Sequence, residues 1–163
     1  FGNWAVNGSR VSGTNNFKLT AYLEPGKHYL SMFFNYETTG AYSLQVNSIS
    51  TVDDYGNDTS SASDIAVGEN ATGMLIGNDI DYFQVTVTQA GALIISMEID
   101  SDYPTKGFLY DSAGNLLDEV EVYGNSPSYL SEDVAPGTYF IKVVTEYGYI
   151  SSLVIPYTIN VSM

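Results

Sequence analysis

Two runs of oxygen donors carry the chemistry that this sequence could do. Asp53, Asp54, Asn57 and Asp58 fall within six residues, and Asn78, Asp79 and Asp81 form a second group further along. Calcium takes roughly six to eight oxygen ligands from carboxylates, amide carbonyls, main-chain carbonyls and water, so the two runs together could supply most of a calcium shell. Their spacing is not that of an EF-hand, whose loop alternates ligands and ends in a Glu. A second reading of the first run stands beside this one: a solvated linker whose Asp and Asn side chains cap turns.

Other chemistries find less support. There are no cysteines and one histidine, His28, whereas zinc needs at least three nitrogen or sulfur ligands. A Ser-His-Asp hydrolase would require His28 as its base. Glu98, Asp100 and Asp102 are close in sequence, as are Asp118, Glu119 and Glu121, and paired carboxylates can cleave glycosides. Alternation turns Glu98 away from the Met97 and Ile99 face toward solvent, and no apolar pocket is legible that would raise an acid's pKa. The expectation is therefore no catalytic residue and no enzyme. The tyrosines divide. Tyr42, Tyr139 and Tyr157 occupy core-facing positions, where the ring is buried and the hydroxyl seeks a backbone partner. Tyr82, Tyr103, Tyr123, Tyr129, Tyr147 and Tyr149 fall on outward faces or in loops, and the last five are the candidate ligand contacts, since exposed rings stack on sugars or proline-rich fibres.

The elements that must position these residues are strands. Thr, Val, Ile and Tyr are abundant and long runs of helix formers are missing, which points to an all-β chain. Residues 1–16 read as turn, short strand and turn, and strands follow near 17–23, 27–34 and 41–48. Beyond a polar stretch from Ser50 to Ser63, strands are expected near 72–76, 81–88, 92–99, 106–111, 115–123, 128–134, 138–145 and 153–162. Phe83, Val85 and Val87 share one face, as do Leu93, Ile95, Met97 and Ile99, then Tyr139, Ile141 and Val143, then Tyr157, Ile159 and Val161. Gln89-Ala90-Gly91, Asp111 to Asn115 and Ala135-Pro136-Gly137 supply turns between them. Many short strands, each with one apolar face, indicate an antiparallel, jelly-roll-like β-sandwich.

The chain also writes one pattern twice. Residues 17–46, with Pro25-Gly26 before His28-Tyr29-Leu30, match residues 129–161, with Pro136-Gly137 before Tyr139-Phe140-Ile141. Only the second copy is preceded by a full set of strands. The reading is the C-terminal half of a first β-sandwich repeat over 1–50, followed by a complete module over 51–163. His28 aligns with Tyr139, which gives it an inward-facing structural place rather than a catalytic one.

The charge balance is lopsided, with 19 acidic against five basic residues and a net charge of −14. Such a surface repels phosphate backbones and anionic headgroups, so neither nucleic acid nor membrane is an expected partner. Cations, neutral glycans and protein fibres remain. No apolar stretch approaches the roughly 18 residues that span a bilayer. The chain opens at Phe1 and reads as a mature or truncated piece of something longer.

Over about two-thirds of its length the chain resembles the bacterial pre-peptidase C-terminal domain family, related to the collagen-binding domains of clostridial collagenases. The matching pieces are Asp53-Asp54-Tyr55-Gly56-Asn57-Asp58-Thr59 with Ala62, Asp79-Ile80-Asp81-Tyr82-Phe83, Ala90-Gly91, Leu109-Tyr110-Asp111 with Gly114-Asn115, Pro136-Gly137-Thr138-Tyr139, and Tyr157-Thr158-Ile159-Asn160-Val161. The resemblance implies a secreted, non-catalytic β-sandwich that accompanies peptidases and polysaccharide-degrading enzymes and assists secretion or binds insoluble substrate. In the similar collagen-binding domains calcium sits between the linker and the loop into the first long strand. There the linker carries acids two and four positions before a final Asn-Asp pair. Here Asn57-Asp58 fits that pair, Asp53 fits the first acidic position, and Asp81 fits a loop ligand. Tyr55 departs from the pattern, since it could offer only its main-chain oxygen, and Asn78 falls where the relatives have a further acid.

The functional expectation is a non-catalytic accessory module of a secreted or cell-surface bacterial hydrolase, stabilised by Ca2+ at Asp53, Asp54, Asn57, Asp58, Asn78, Asp79 and Asp81. Its expected partners are an insoluble protein or polysaccharide polymer, the neighbouring domains of its parent chain, and another copy through the truncated repeat. The alternative is a tandem structural repeat of an adhesin-like surface protein, stiffened by calcium.

Overall fold

The computed structural model describes residues 9–10, 17–18, 27–30, 41, 43–47, 53–101, 103–124, 126–146 and 154–163. Along the chain the strands are β1 (Ser9–Arg10), β2 (Phe17–Lys18), β3 (Ser63–Asp64), β4 (Asn70–Ile76), β5 (Ile80–Val87), β6 (Gly91–Ile99), β7 (Thr105–Asp111), β8 (Leu116–Val122), β9 (Ser128–Val134), β10 (Gly137–Thr145) and β11 (Val154–Ser162). No helix occurs among the described residues.

Period-two alternation decides what these strands do. On β5, Asp81, Phe83, Val85 and Val87 are buried and the residues between them are not. On β6 the buried set is Leu93, Ile95, Met97 and Ile99, and on β10 it is Tyr139, Ile141, Val143 and Thr145. Such one-sided strands bury their apolar faces only by stacking two sheets. One sheet has the order β3-β5-β10-β7-β8 and the other β4-β11-β6-β9, while β1 and β2 pair separately. All pairs are antiparallel except the two-residue β3, which runs parallel to β5. The core between the sheets includes Leu75, Phe83, Ile95, Met97, Leu109, Leu130, Ile141 and Ile159, all fully buried. Each such side chain contributes about 1.5–3 kcal/mol over its exposed state.

Close packing demands absences as well as side chains. A Cβ on Gly107 of β7 would collide with the Met97 sulfur from the facing sheet, so the glycine makes room for that methionine. The expected turns are present, but only Asp111 to Asn115 closes a hairpin, between β7 and β8. Gln89-Ala90-Gly91 and Ala135-Pro136-Gly137 instead carry the chain from one sheet to the other. Among the described residues β8 is an edge strand, and its exposed Glu119 and Glu121 are charges that discourage edge-to-edge pairing.

The N-terminal reading fares differently. Strands were expected over 27–34 and 41–48, yet residues 27–30, 41 and 43–47 form none and are exposed, Tyr29 by 84% and Val46 by 80%. An alternating segment becomes a strand only where a neighbouring strand takes its hydrogen bonds, and none does so here among the described residues. His28, expected to face inward, is exposed for the same reason. Apart from β1 and β2, the remaining residues of the first repeat, Tyr42 among them, lie outside the described residues.

Candidate metal centre

The alternation of β5 delivers an acid into the sandwich. Asp81 continues the inward series of Phe83, Val85 and Val87 by one step, so its carboxylate enters the end of the core and is 0% exposed. Gly77 adopts a φ of 63°, a left-handed conformation that suits glycine, in the turn between β4 and β5 that presents Asp79. Asp79 accepts from the Ile80 N–H through Oδ1 at 2.9 Å.

The segment from Asp53 to Asp58 is laid across the open side of the sandwich, between β4 and β5. Tyr55 anchors it. Its ring packs on Phe83 with centroids 4.4 Å apart, and its hydroxyl donates to the Thr72 carbonyl at 2.9 Å. Asp54 Oδ2 accepts from the Met74 N–H of β4 at 2.9 Å, and the Tyr82 N–H of β5 donates to the Gly56 carbonyl at 2.9 Å. Tyr55 stands where the related pattern has an acid, and this structure gives it an anchoring part: a ring in the core in exchange for a carboxylate.

These placements bring Asp53, Asp54, Asp79 and Asp81 together, with one carboxylate oxygen from each lying within 4.8 Å of the others. Asn57 braces the group, since its amide donates to Asp53 Oδ2 at 2.7 Å and its Oδ1 accepts from the Ile80 N–H at 3.1 Å. Asp58 lies outside it. Its Oδ1 accepts from the backbone N–H groups and hydroxyls of Ser60 and Ser61, at 2.7–3.0 Å, as a turn cap. Both sequence readings of the first run thus find residues: Asp53 and Asp54 join the cluster, and Asp58 caps a turn. Asn78 is exposed on the β4–β5 loop.

Asp81 is the costly member. Tyr157 of β11 donates its hydroxyl to Asp81 Oδ2 at 2.5 Å, while Oδ1 is buried with no hydrogen-bond partner. Burial pushes its pKa up to about 7, against the lowering effect of the Tyr157 hydrogen bond, and Asp79, Asp54 and Asp53 push the same way as burial. Burial likewise raises Asp54 and Asp79 above the usual carboxylate range, helped in both by the Asp53 charge. Hydrogen bonds from Ser60 and Ser61 hold Asp58 below it. A buried carboxylate with one oxygen lacking a donor, in a cluster with three more carboxylates, calls for a cation. A cluster of four Asp residues is thereby placed where it could hold a metal ion.

Of the tyrosines proposed from sequence as ligand contacts, Tyr123 and Tyr129 are exposed, by 55% and 58%, and Tyr103 packs half-buried against the core. Tyr147 and Tyr149 lie outside the described residues. Tyr139 sends its hydroxyl to the Ala135 carbonyl at 2.8 Å, the backbone partner expected for a core tyrosine. Tyr157 departs from that expectation by choosing Asp81. Sequence reading placed Tyr82 outward but missed the band of aromatics it joins on the five-stranded sheet, namely Phe108, Tyr110 and Phe140. Tyr82, Phe108, Tyr110 and Phe140 sit on adjacent strands with Lys142 between Tyr82 and Phe108 in register, its ammonium 5.6 Å from the Phe108 ring centre. Extending the alternation of β7 and β10 to their outer positions would have revealed them.

No known family profile matches the chain, and no curated protein matches it. Among solved structures, the pre-peptidase C-terminal domain of collagenase from Bacillus anthracis matches with a TM-score of 0.55 and 21% identity, over 66% of this chain and 100% of that one. The sandwich has the fold of a pre-peptidase C-terminal domain. Two weaker likenesses, too distant to carry weight, are PliG from Aeromonas hydrophila, a periplasmic inhibitor of g-type lysozyme (TM-score 0.46, 11% identity, 62% of this chain and 96% of that), and the carbohydrate-binding module CBM36 in complex with calcium and xylotriose (0.37, 14%, 59% and 92%).

Proposed function

We propose that this chain is a non-catalytic accessory module of a secreted bacterial hydrolase, locked into shape by calcium at Asp53, Asp54, Asp79 and Asp81. The observation that carries the proposal is the buried, unpartnered Oδ1 of Asp81, on a carboxyl group clustered with three others. Two acids come from the 53–58 segment and two from the entry to β5, so an ion held by all four staples that segment to the sandwich. Waters and main-chain carbonyls would complete the roughly six to eight oxygens that calcium takes. The fold shared with a collagenase domain supports the accessory role, and the parent enzyme would be a peptidase or a polysaccharide-degrading enzyme. The polymer would meet exposed rings, for which Tyr123, Tyr129 and the outer band of Tyr82, Phe108, Tyr110 and Phe140 are the available surfaces.

Thermal unfolding in excess EDTA against millimolar calcium tests the ion. An ion that binds only the native state adds about 2.7 kcal/mol at a hundredfold excess over its Kd. Each kcal/mol moves the midpoint of a domain of this size by about 2–8 °C. Magnesium should do much less, because it keeps its waters and demands octahedral geometry. An unmoved midpoint would mean that the four acids hold no calcium. Sedimentation with insoluble collagen or chitin, repeated on Phe108→Ala and Tyr110→Ala, tests the polymer surface. Equal retention of wild type and variants would move that contact elsewhere.

A further inference from the structure

The geometry points to Tyr157 as the residue that positions Asp81 for the cation, an inference that rests on the calcium reading above. Tyr157 and Asp81 belong to different sheets, 76 residues apart in sequence, and their hydrogen bond crosses the sandwich interior. The bond has a directional consequence. An ionised carboxylate only accepts, so the phenol occupies Oδ2 and leaves Oδ1, buried and without a protein partner, as the oxygen open to an ion, on a carboxyl group clustered with those of Asp53, Asp54 and Asp79. Without the phenol, neither oxygen of Asp81 would be held in place by a protein donor.

The strand opposite is shaped to permit this reach. Gly73 of β4 pairs directly with Tyr157 of β11, and a Cβ there would overlap the phenol ring and its hydroxyl. A mid-strand glycine weakens a sheet, and one recurs where another group must approach closely. Here that group is the tyrosine ring, which lies over the bare glycine on its way to Asp81. On the other flank Tyr157 pairs with Ile99 of β6, so β11 is a central strand and the phenol has a fixed base. Groups that orient a metal ligand in this way set the affinity of the site without touching the ion, and losing one weakens binding about 10–100-fold.

The test is a calcium titration by calorimetry on the full chain, wild type against Tyr157→Phe, with thermal midpoints of both in EDTA. Phenylalanine keeps the buried ring and removes only the hydroxyl. The expected result is a Kd raised about 10–100-fold, with a calcium-induced midpoint shift smaller than that of the wild type. A merely structural hydroxyl would lower the EDTA midpoint and leave the Kd unchanged, and that outcome overturns the inference while the calcium reading stands. Gly73→Ala, which pushes the phenol aside without deleting it, is expected to weaken calcium in the same direction, and an unchanged Kd there counts against the inference too. A wild-type chain that binds no calcium overturns both this inference and the reading beneath it.

Discussion

At the end of the sandwich core, Asp81 holds a carboxylate where its neighbours on β5 hold Phe and Val, and the burial leaves a measurable trace. In the unfolded chain this group titrates near 3.8, and in the folded chain at about 7. Between those values the native state holds more protons than the unfolded state, so stability falls as pH rises through the window and is highest below it. Calcium-free protein should therefore be more stable at pH 5 than at pH 8, by about 2.5 kcal/mol from this group. Asp81→Asn should remove that part of the slope, as read by urea unfolding in EDTA; a slope equal in both chains would mean that the other carboxylates produce it. Asp58 provides the contrast. Its Oδ1 is spent on the Ser60 and Ser61 donors, so Asp58→Ala should lower the thermal midpoint slightly yet preserve the full calcium-induced rise. Loss of that rise would place Asp58 among the ligands. The acids were legible as a group because Asp53 with Asp54, and Asp79 with Asp81, are sequence neighbours. Tyr157 was not legible as their partner, because nothing local says which sheet faces which across the core.

Strands were the most legible elements. From Asn70 onward each expected strand is present, since alternation, a β-rich composition and intervening turn residues all agree. Sheet membership was hidden. The turn chemistry of Gln89-Ala90-Gly91 suits either a hairpin or a crossing between sheets, and the choice is made by which sheet buries the apolar face of β6. The failure at 27–30 and 43–47 has a related cause: alternation describes a strand's needs, and only a partner meets them. The sheet order ranks the elements by energetic weight. β10 is central, flanked by β5 and β7, whereas β8 is an edge. Ile141→Ala on β10 should cost about 2–5 kcal/mol. Leu116→Ala, at an exposed position of β8, should stay within about 0.5 kcal/mol. Denaturant titrations compare the two, and similar losses would contradict the two-sheet core.

For the molecule as a whole, among the described residues every member of the hydrophobic core cluster lies between Ile65 and Val161, and Tyr55, the first residue packed against it, belongs to the segment that carries Asp53 and Asp54. A chain of residues 53–163 should then unfold cooperatively with nearly the midpoint of the full protein. A broad or strongly lowered transition would show that residues 1–52 belong to the same cooperative unit. Charge is distributed unevenly too: Arg10, Lys18 and Lys27 precede Asp53, and only Lys106 and Lys142 follow it, both on the five-stranded sheet. A divalent ion at the acidic end would relieve repulsion where it is greatest, which joins the fold's stability to its surroundings. The most direct test is a crystal structure grown in millimolar calcium. The account predicts an ion within about 2.3–2.6 Å of oxygens from Asp53, Asp54, Asp79 and Asp81, the last through Oδ1. Well-ordered carboxylates with no ion between them at saturating calcium, or an ion bound only elsewhere, would contradict it.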